Sequence, residues 1–198
     1  MDTNRSARRI QKDLEAINRP ARNPGGGITR LSYSPEHAEA LRYLQRECSA
    51  LGARCFLDEA GNFAARMEGA NPELPVFCLG SHVDSVKNGG ELDGMAGVII
   101  GLEMFRLLKE SGMQLRHGIQ LMGFAEEEGV LCNMGLLGSR FFCGEITPED
   151  FRKLRTGSGL LLGDLAENFC ASLLPLMDGP FPKEAKNLAF FLEPHIEQ

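Results

Sequence analysis

The order of elements along these 198 residues predicts an α/β fold: a mixed, mostly parallel sheet with helices on both faces. Three observations carry that expectation. Short apolar runs such as IQLMGFA (119–125) and LAFFL (188–192) read as buried strands. Segments with apolar residues at helical spacing lie between strands of this kind. Acidic and histidine residues gather where the apolar runs end, which in open α/β sheets is where ligands bind.

Taken in order, Ile10, Leu14 and Ile17 predict a helix over 5–18, with Pro20 just beyond it. A polar loop with Gly25, Gly26 and Gly27 follows; no Lys-Ser/Thr comes after it, so it is a weak phosphate-loop candidate. Ser34 and Pro35 have the character of an N-cap and first helical residue, opening a helix to about Ala50 that Gly52 stops. Residues 54–58 and 62–67 predict strands around the turn at 59–61, and 75–80 a third. Val98, Leu102, Phe105 and Leu108 form the stripe of a helix over 95–111, ended by Gly112. The strand at 119–125 runs into Glu126, Glu127, Glu128 and Gly129. Thr147 and Pro148 mark another helix start, 157–187 is irregular to helical, and 188–192 is the last strand.

Composition excludes several classes. Hydrophobic residues at 43% and charged residues at 24% suit a soluble globular chain, and a net charge of -6 argues against a nucleic-acid surface. No apolar run reaches the ~18 residues of a membrane span, and the charged N-terminus lacks a signal-peptide core. Six scattered cysteines without CxxC spacing read as reduced, mostly buried thiols, so the expected location is cytoplasmic.

His82 and Asp84 are two apart at a strand end, where the carboxylate is expected to accept from the far nitrogen of the imidazole, as metal-binding histidines require. Asp93 precedes a helix start, where negative charge is favoured. Glu127 and Glu128 close another strand; as neighbours they point differently, so one can bind metal while the other holds a water. His195 follows the last strand. Singly these are a structural HxD, an N-cap, a solvated acidic face and a surface histidine. Jointly, at strand ends and beside glycines, they suit zinc or a similar divalent ion. His37 and His117 lack acidic partners in pattern and are read as surface residues, and there is no GxSxG elbow.

At these residues the chain resembles a known family. GITRLSYSPE (27–36), GSHVDSVKNGGELDG (80–94), the strand ending in EEEG at Gly129, GLLGSR (135–140) and HIEQ (195–198) are similar to the amidase/hydantoinase/carbamoylase branch of the dinuclear zinc-peptidase superfamily. That branch holds N-carbamoyl-L-amino acid hydrolases, allantoate amidohydrolases and β-ureidopropionases. The resemblance implies a zinc- or manganese-dependent amidohydrolase that cleaves a linear C–N bond in a small ureido or carbamoyl substrate, with neither nucleic acid nor membrane as partner. It implies that Asp93 bridges two divalent metals, that His82 and His195 bind the first, and that Glu128 binds the second. Glu127 would be the general base, Asp84 would orient His82, and Gln198 would contact substrate. A cis peptide is expected after Asp93.

Two departures stand out: EEGVLC (127–132) replaces the family's EEGSRF or EEGARF, and Pro194 replaces the usual Leu, which could displace His195. The family continues beyond the position of Gln198 with a lid and dimerisation domain, a substrate-carboxylate arginine and a late metal-binding histidine. The expectation is that 1–198 is the N-terminal part of the catalytic domain. It would hold one metal or none tightly, lack the family's homodimer surface, and turn over little substrate alone. The alternatives are a non-catalytic remnant used for binding or assembly, or a related metallopeptidase or aminoacylase.

Overall fold

The computed structural model describes residues 3–181 and 186–196. Helix α1 (Thr3–Asn18) leads through a 3-10 turn and the glycine loop into α2 (Pro35–Ala50). The Ser34 side chain accepts from the His37 N–H at the start of α2, and Pro35 occupies the first turn, so that helix begins where its cap predicts. A hairpin of β1 (Arg54–Leu57) and β2 (Phe63–Met67) follows, then β3 (Val76–His82), α3 (Met95–Ser111) and β4 (Ile119–Phe124). Three short helices, α4 (Leu137–Phe142), α5 (Pro148–Lys153) and α6 (Leu162–Leu173), precede β5 (Leu188–Leu192). Thr147 caps α5 by accepting from the Asp150 N–H. Helix α4 has no sequence signal: it starts without a side-chain cap, from Leu136 in the left-handed region.

The five strands are ordered β1-β2-β4-β3-β5. Strand β2 is antiparallel to both neighbours, whereas β3 is parallel to β4 and to β5. Four strands therefore run the same way, and the mixed, mostly parallel sheet is as expected. Strand β4 is buried from end to end and β3 at every residue but Phe77, as strands covered on both faces are. On one face, Leu41, Leu44, Val98, Leu102 and Phe105 of α2 and α3 pack on Leu79, Ile119 and Leu121. The other face is covered, among the described residues, by Phe142 of α4 and by Phe181 and Leu188 over Ala64, Cys78, Met122 and Phe124. Beyond the hairpin, α4, α5 and α6 share a small core around Phe151, Leu162 and Ala60.

An ionic seam joins the three large helices. Buried Asp13 of α1 accepts from Tyr43 of α2 and pairs with Arg106 of α3, which also reaches Glu47 at 3.1 Å. Arg9 pairs with the buried Glu103. Among the described residues all six cysteines are free, four of them buried, and no helix is long and apolar enough to cross a membrane.

His37 corrects the reading of a surface residue, because it is fully buried. Its Nδ1 accepts from the Tyr33 N–H and its ring stacks on Phe169 at 4.8 Å. A sequence window shows neither the aromatic partner, more than a hundred residues away, nor the turn that supplies the N–H. His117 is half-buried rather than free, stacked on Phe77 with Nδ1 2.7 Å from the Pro75 carbonyl.

Burial, and then the charge of Arg30, lowers the His37 pKa to about 3. The unfolded chain takes up this proton near pH 6.5 while the folded one does not, so stability present above 6.5 is lost as pH falls toward 3. The slope is up to about 1.4 kcal/mol per pH unit. In His37→Asn, whose amide oxygen can replace Nδ1 as acceptor, denaturant titrations between pH 7 and 4 should show a shallower loss than wild type.

Candidate metal centre

The site is assembled at the carboxyl ends of β3 and β4, and its most constrained part is the segment leaving β4. Four consecutive backbone N–H groups there are each taken by a side-chain oxygen from elsewhere in the chain. Ala125 donates to Asn62 Oδ1 at 3.0 Å, and Glu126 to Ser32 Oγ at 2.7 Å. Glu127 and Glu128 donate to the two carboxylate oxygens of Asp84, at 3.1 and 3.2 Å. Asn62, Ser32 and Asp84 are all buried, and a buried N–H left without an acceptor would be costly. Glu126 turns inward with a positive φ of 53°, and its Oε1 accepts from the Leu131 and Cys132 N–H groups. The three glutamates thus divide: the first shapes the loop and the other two face the site. Asn62 and Ser32 were not legible as site residues, since each sits in a segment rich in turn formers.

Asp84 therefore acts differently from the expectation. The group within hydrogen-bond reach of His82 Nδ1 is the Asp84 backbone carbonyl, at 3.0 Å; the carboxylate lies 3.8 Å away and clamps the Glu127–Glu128 backbone instead. Asp84 lies just beyond β3, so strand alternation no longer governs where its side chain points. Its carboxyl is raised by burial, an effect that His82 and the two backbone donors oppose.

His82 is the last residue of β3 and is buried. Its Nε2 lies 3.3 Å from His195 Nε2, 3.6 Å from Asp93 Oδ1 and 3.7 Å from Glu127 Oε2. His195 Nε2 lies 3.4 Å from the same Asp93 oxygen. One ligand atom each from His82, Asp93 and His195 fall within 4.8 Å of one another, and so do those from His82, Glu127 and Glu128. Pro194 does not carry His195 away from the site. Asp93 sits just ahead of α3, whose N-cap is Gly94 rather than Asp93. The peptide after Asp93 is trans, contrary to expectation, since the described chain has no cis bond. Gly94 has φ 62°, and a Cβ there would meet the His82 ring at 2.5 Å, so glycine is required both by conformation and by space. Gln198 lies outside the described residues.

The donor set fits a cation. His82 Nδ1 faces the Asp84 carbonyl and His195 Nδ1 faces the Ile196 carbonyl at 2.7 Å. Each of these nitrogens must carry hydrogen to satisfy its carbonyl, which leaves both Nε2 lone pairs aimed at each other and at a carboxylate. Only a proton or a metal ion between them makes that arrangement favourable. The carboxylates tell the same story. Burial, then the charge of Asp93, pushes Glu128 up to about 7. Burial also raises Glu127, against the opposing pull of His82. Negative charge is crowded here beyond what the nearby residues neutralise.

Replacing Asp84 with Ala would free two N–H groups and let Glu127 and Glu128 drift. Such partners one step removed from a metal typically matter by 10–100-fold in affinity. Titration of the chain with Zn2+ or Mn2+ should show a loss of that size in Asp84→Ala, and a smaller one in Asp84→Asn, which keeps one acceptor oxygen.

Comparison with known proteins identifies the family. The family model described as Peptidase family M28 matches residues 62–162, just over half of the chain. The chain is 38% identical over 192 residues to the N-carbamoyl-L-amino-acid amidohydrolase of Paenarthrobacter aurescens, a match covering 97% of this chain and 46% of that protein. It is 33% identical over 190 residues to the allantoate amidohydrolase of Escherichia coli (strain K12), covering 96% and 45%. Among solved structures, an amidase of the hydantoinase/carbamoylase family from Burkholderia phymatum matches with a TM-score of 0.79 at 32% identity, over 98% of this chain and 45% of that one. The chain thus spans a little under half the length of the curated relatives it matches. Motifs, fold and relatives converge: the chain is similar to hydantoinase/carbamoylase amidases, and it belongs to Peptidase family M28.

Proposed function

We propose that this chain carries the metal-binding part of an amidohydrolase that cleaves a linear C–N bond in N-carbamoyl amino acids or related ureido compounds. The observation that carries the reading is the convergence of His82, Asp93, His195, Glu127 and Glu128 on one point at the carboxyl ends of parallel strands. His82, Asp93 and His195 would hold one divalent ion; Asp93 and Glu128 would contribute to a second. Mixed imidazole and carboxylate donors suit zinc or manganese. When bound, the metal supplies Lewis acidity toward the scissile carbonyl.

The remaining work falls to the chain's own groups. Glu127 is the proposed general base: its carboxylate is partly exposed, lies 3.7 Å from the His82 imidazole, and has its pKa raised by burial. A carboxylate so placed can take a proton from an attacking water and pass it to the leaving nitrogen. Asp84 holds that base in place through the backbone. Substrate class is carried over from relatives that are named as N-carbamoyl-amino-acid and allantoate amidohydrolases and as ureidoglycolate hydrolases.

The reading is tested by metal titration and by hydrolysis assays on N-carbamoyl-L-amino acids, allantoate, N-acyl amino acids and dipeptides. The chain should take up Zn2+ or Mn2+, and His82→Ala and Asp93→Ala should abolish uptake. Glu127→Gln should keep the metal yet lower any C–N hydrolysis by about 10²–10⁴-fold. Turnover of dipeptides or N-acyl amino acids without carbamoyl substrates would replace the proposal with a peptidase or aminoacylase. Failure to take up any divalent metal would overturn it.

A further inference from the structure

His82 and His195 are held in unequal ways. His82 ends an interior strand and is fixed by the ladder with β4. His195 lies three residues beyond the end of β5, which among the described residues is an edge strand paired with β3, exposed from Ala189 to Leu192. An edge strand of this kind gives weak restraint to the residues after it. Two contacts supply the restraint that the strand does not. The fully buried Ser81 hydroxyl, next to His82, donates to Glu193 Oε1 at 2.6 Å. In the first turn of α3, a Cβ on Gly97 would lie 2.3 Å from the Pro194 carbonyl oxygen and 2.9 Å from Ser81 Cβ. The segment 193–195 is therefore seated in a notch between β3 and α3 that exists because residue 97 has no side chain.

We propose that Glu193 is a positioning residue, latched by Ser81, that seats His195 against His82 and Asp93. The hydrogen bond is short and charge-assisted, the stronger class of such contacts. It ties the residue two before one metal-binding imidazole to the residue just before the other, so both imidazoles are referred to the same point on β3. Glu193 is itself exposed, so its replacement leaves the core intact. The inference rests on the metal-centre reading, and the experiment separates the two.

The test uses two readouts on Glu193→Ala and Glu193→Gln; the glutamine keeps an acceptor oxygen for Ser81. The first needs no metal: a nuclear Overhauser cross-peak between the His82 and His195 rings, whose centroids are 5.5 Å apart. The second is affinity for Zn2+. The cross-peak should be present in wild type and Glu193→Gln and absent in Glu193→Ala. Zn2+ affinity should fall tenfold or more in Glu193→Ala and be largely rescued in Glu193→Gln. A cross-peak and affinity unchanged in Glu193→Ala, or no cross-peak in wild type, would overturn the latch. A wild-type cross-peak without metal uptake would sink the metal centre and leave the latch to be decided by the cross-peaks alone.

Discussion

The segment that leaves β4 is held by its own amides. From Ala125 to Glu128, each N–H meets a buried oxygen from a distant part of the chain: the hairpin turn, the loop before α2, and the strand end at Asp84. Loops rarely have so complete a set of partners, because they usually satisfy their polar groups with water. Here the direction of Glu127 and Glu128 is fixed by where Asn62, Ser32 and Asp84 sit. The elements around the site serve this arrangement. The Asp58 carboxylate accepts from Ala60 and Asn62 in the hairpin turn, which aims the Asn62 amide at both Ala125 and Gly138. The loop before α2 is held in turn by buried Arg30, which donates to the Val83 carbonyl and to Asn18.

The centre itself is an arrangement that folding alone would not favour. Two imidazole lone pairs and a carboxylate oxygen lie within 3.6 Å of one another, and a second carboxyl beside them is pushed up to about 7. Such crowding persists when the surrounding structure over-determines it. The His82 position is set by the sheet, that of Asp93 by Gly94 and the start of α3, and those of the glutamates by the clamped amides. Strain of this kind is a common mark of groups kept for a ligand rather than for stability.

The sheet is asymmetric in its covering. Three long helices and an ionic seam close one face, while among the described residues the other is covered chiefly by Phe142, Phe181 and Leu188. Beside it, β5 exposes Phe190, Phe191 and Leu192. His195 follows this edge strand, so its positioning depends on a few specific contacts and not on bulk packing.

Much of the fold was legible in the sequence because its signals are local. Caps at Ser34 and Thr147, the stop at Gly112 and the apolar runs of β3, β4 and β5 depend on neighbours within a few residues, and the elements fall where those signals put them. The gathering of His82, Asp93, Glu127, Glu128 and His195 was legible too, since each stands near a strand or helix end and strand ends in such sheets converge. What the sequence did not contain was partner choice. Whether Asp84 holds an imidazole or two amides, whether His37 is wet or stacked on Phe169, and whether α4 forms after an uncapped Leu136 are all set by groups brought close only when distant segments pack. Hydrogen bonds and ring contacts act over a few ångströms of space, and spacing along the chain records that distance only inside a single helix or strand.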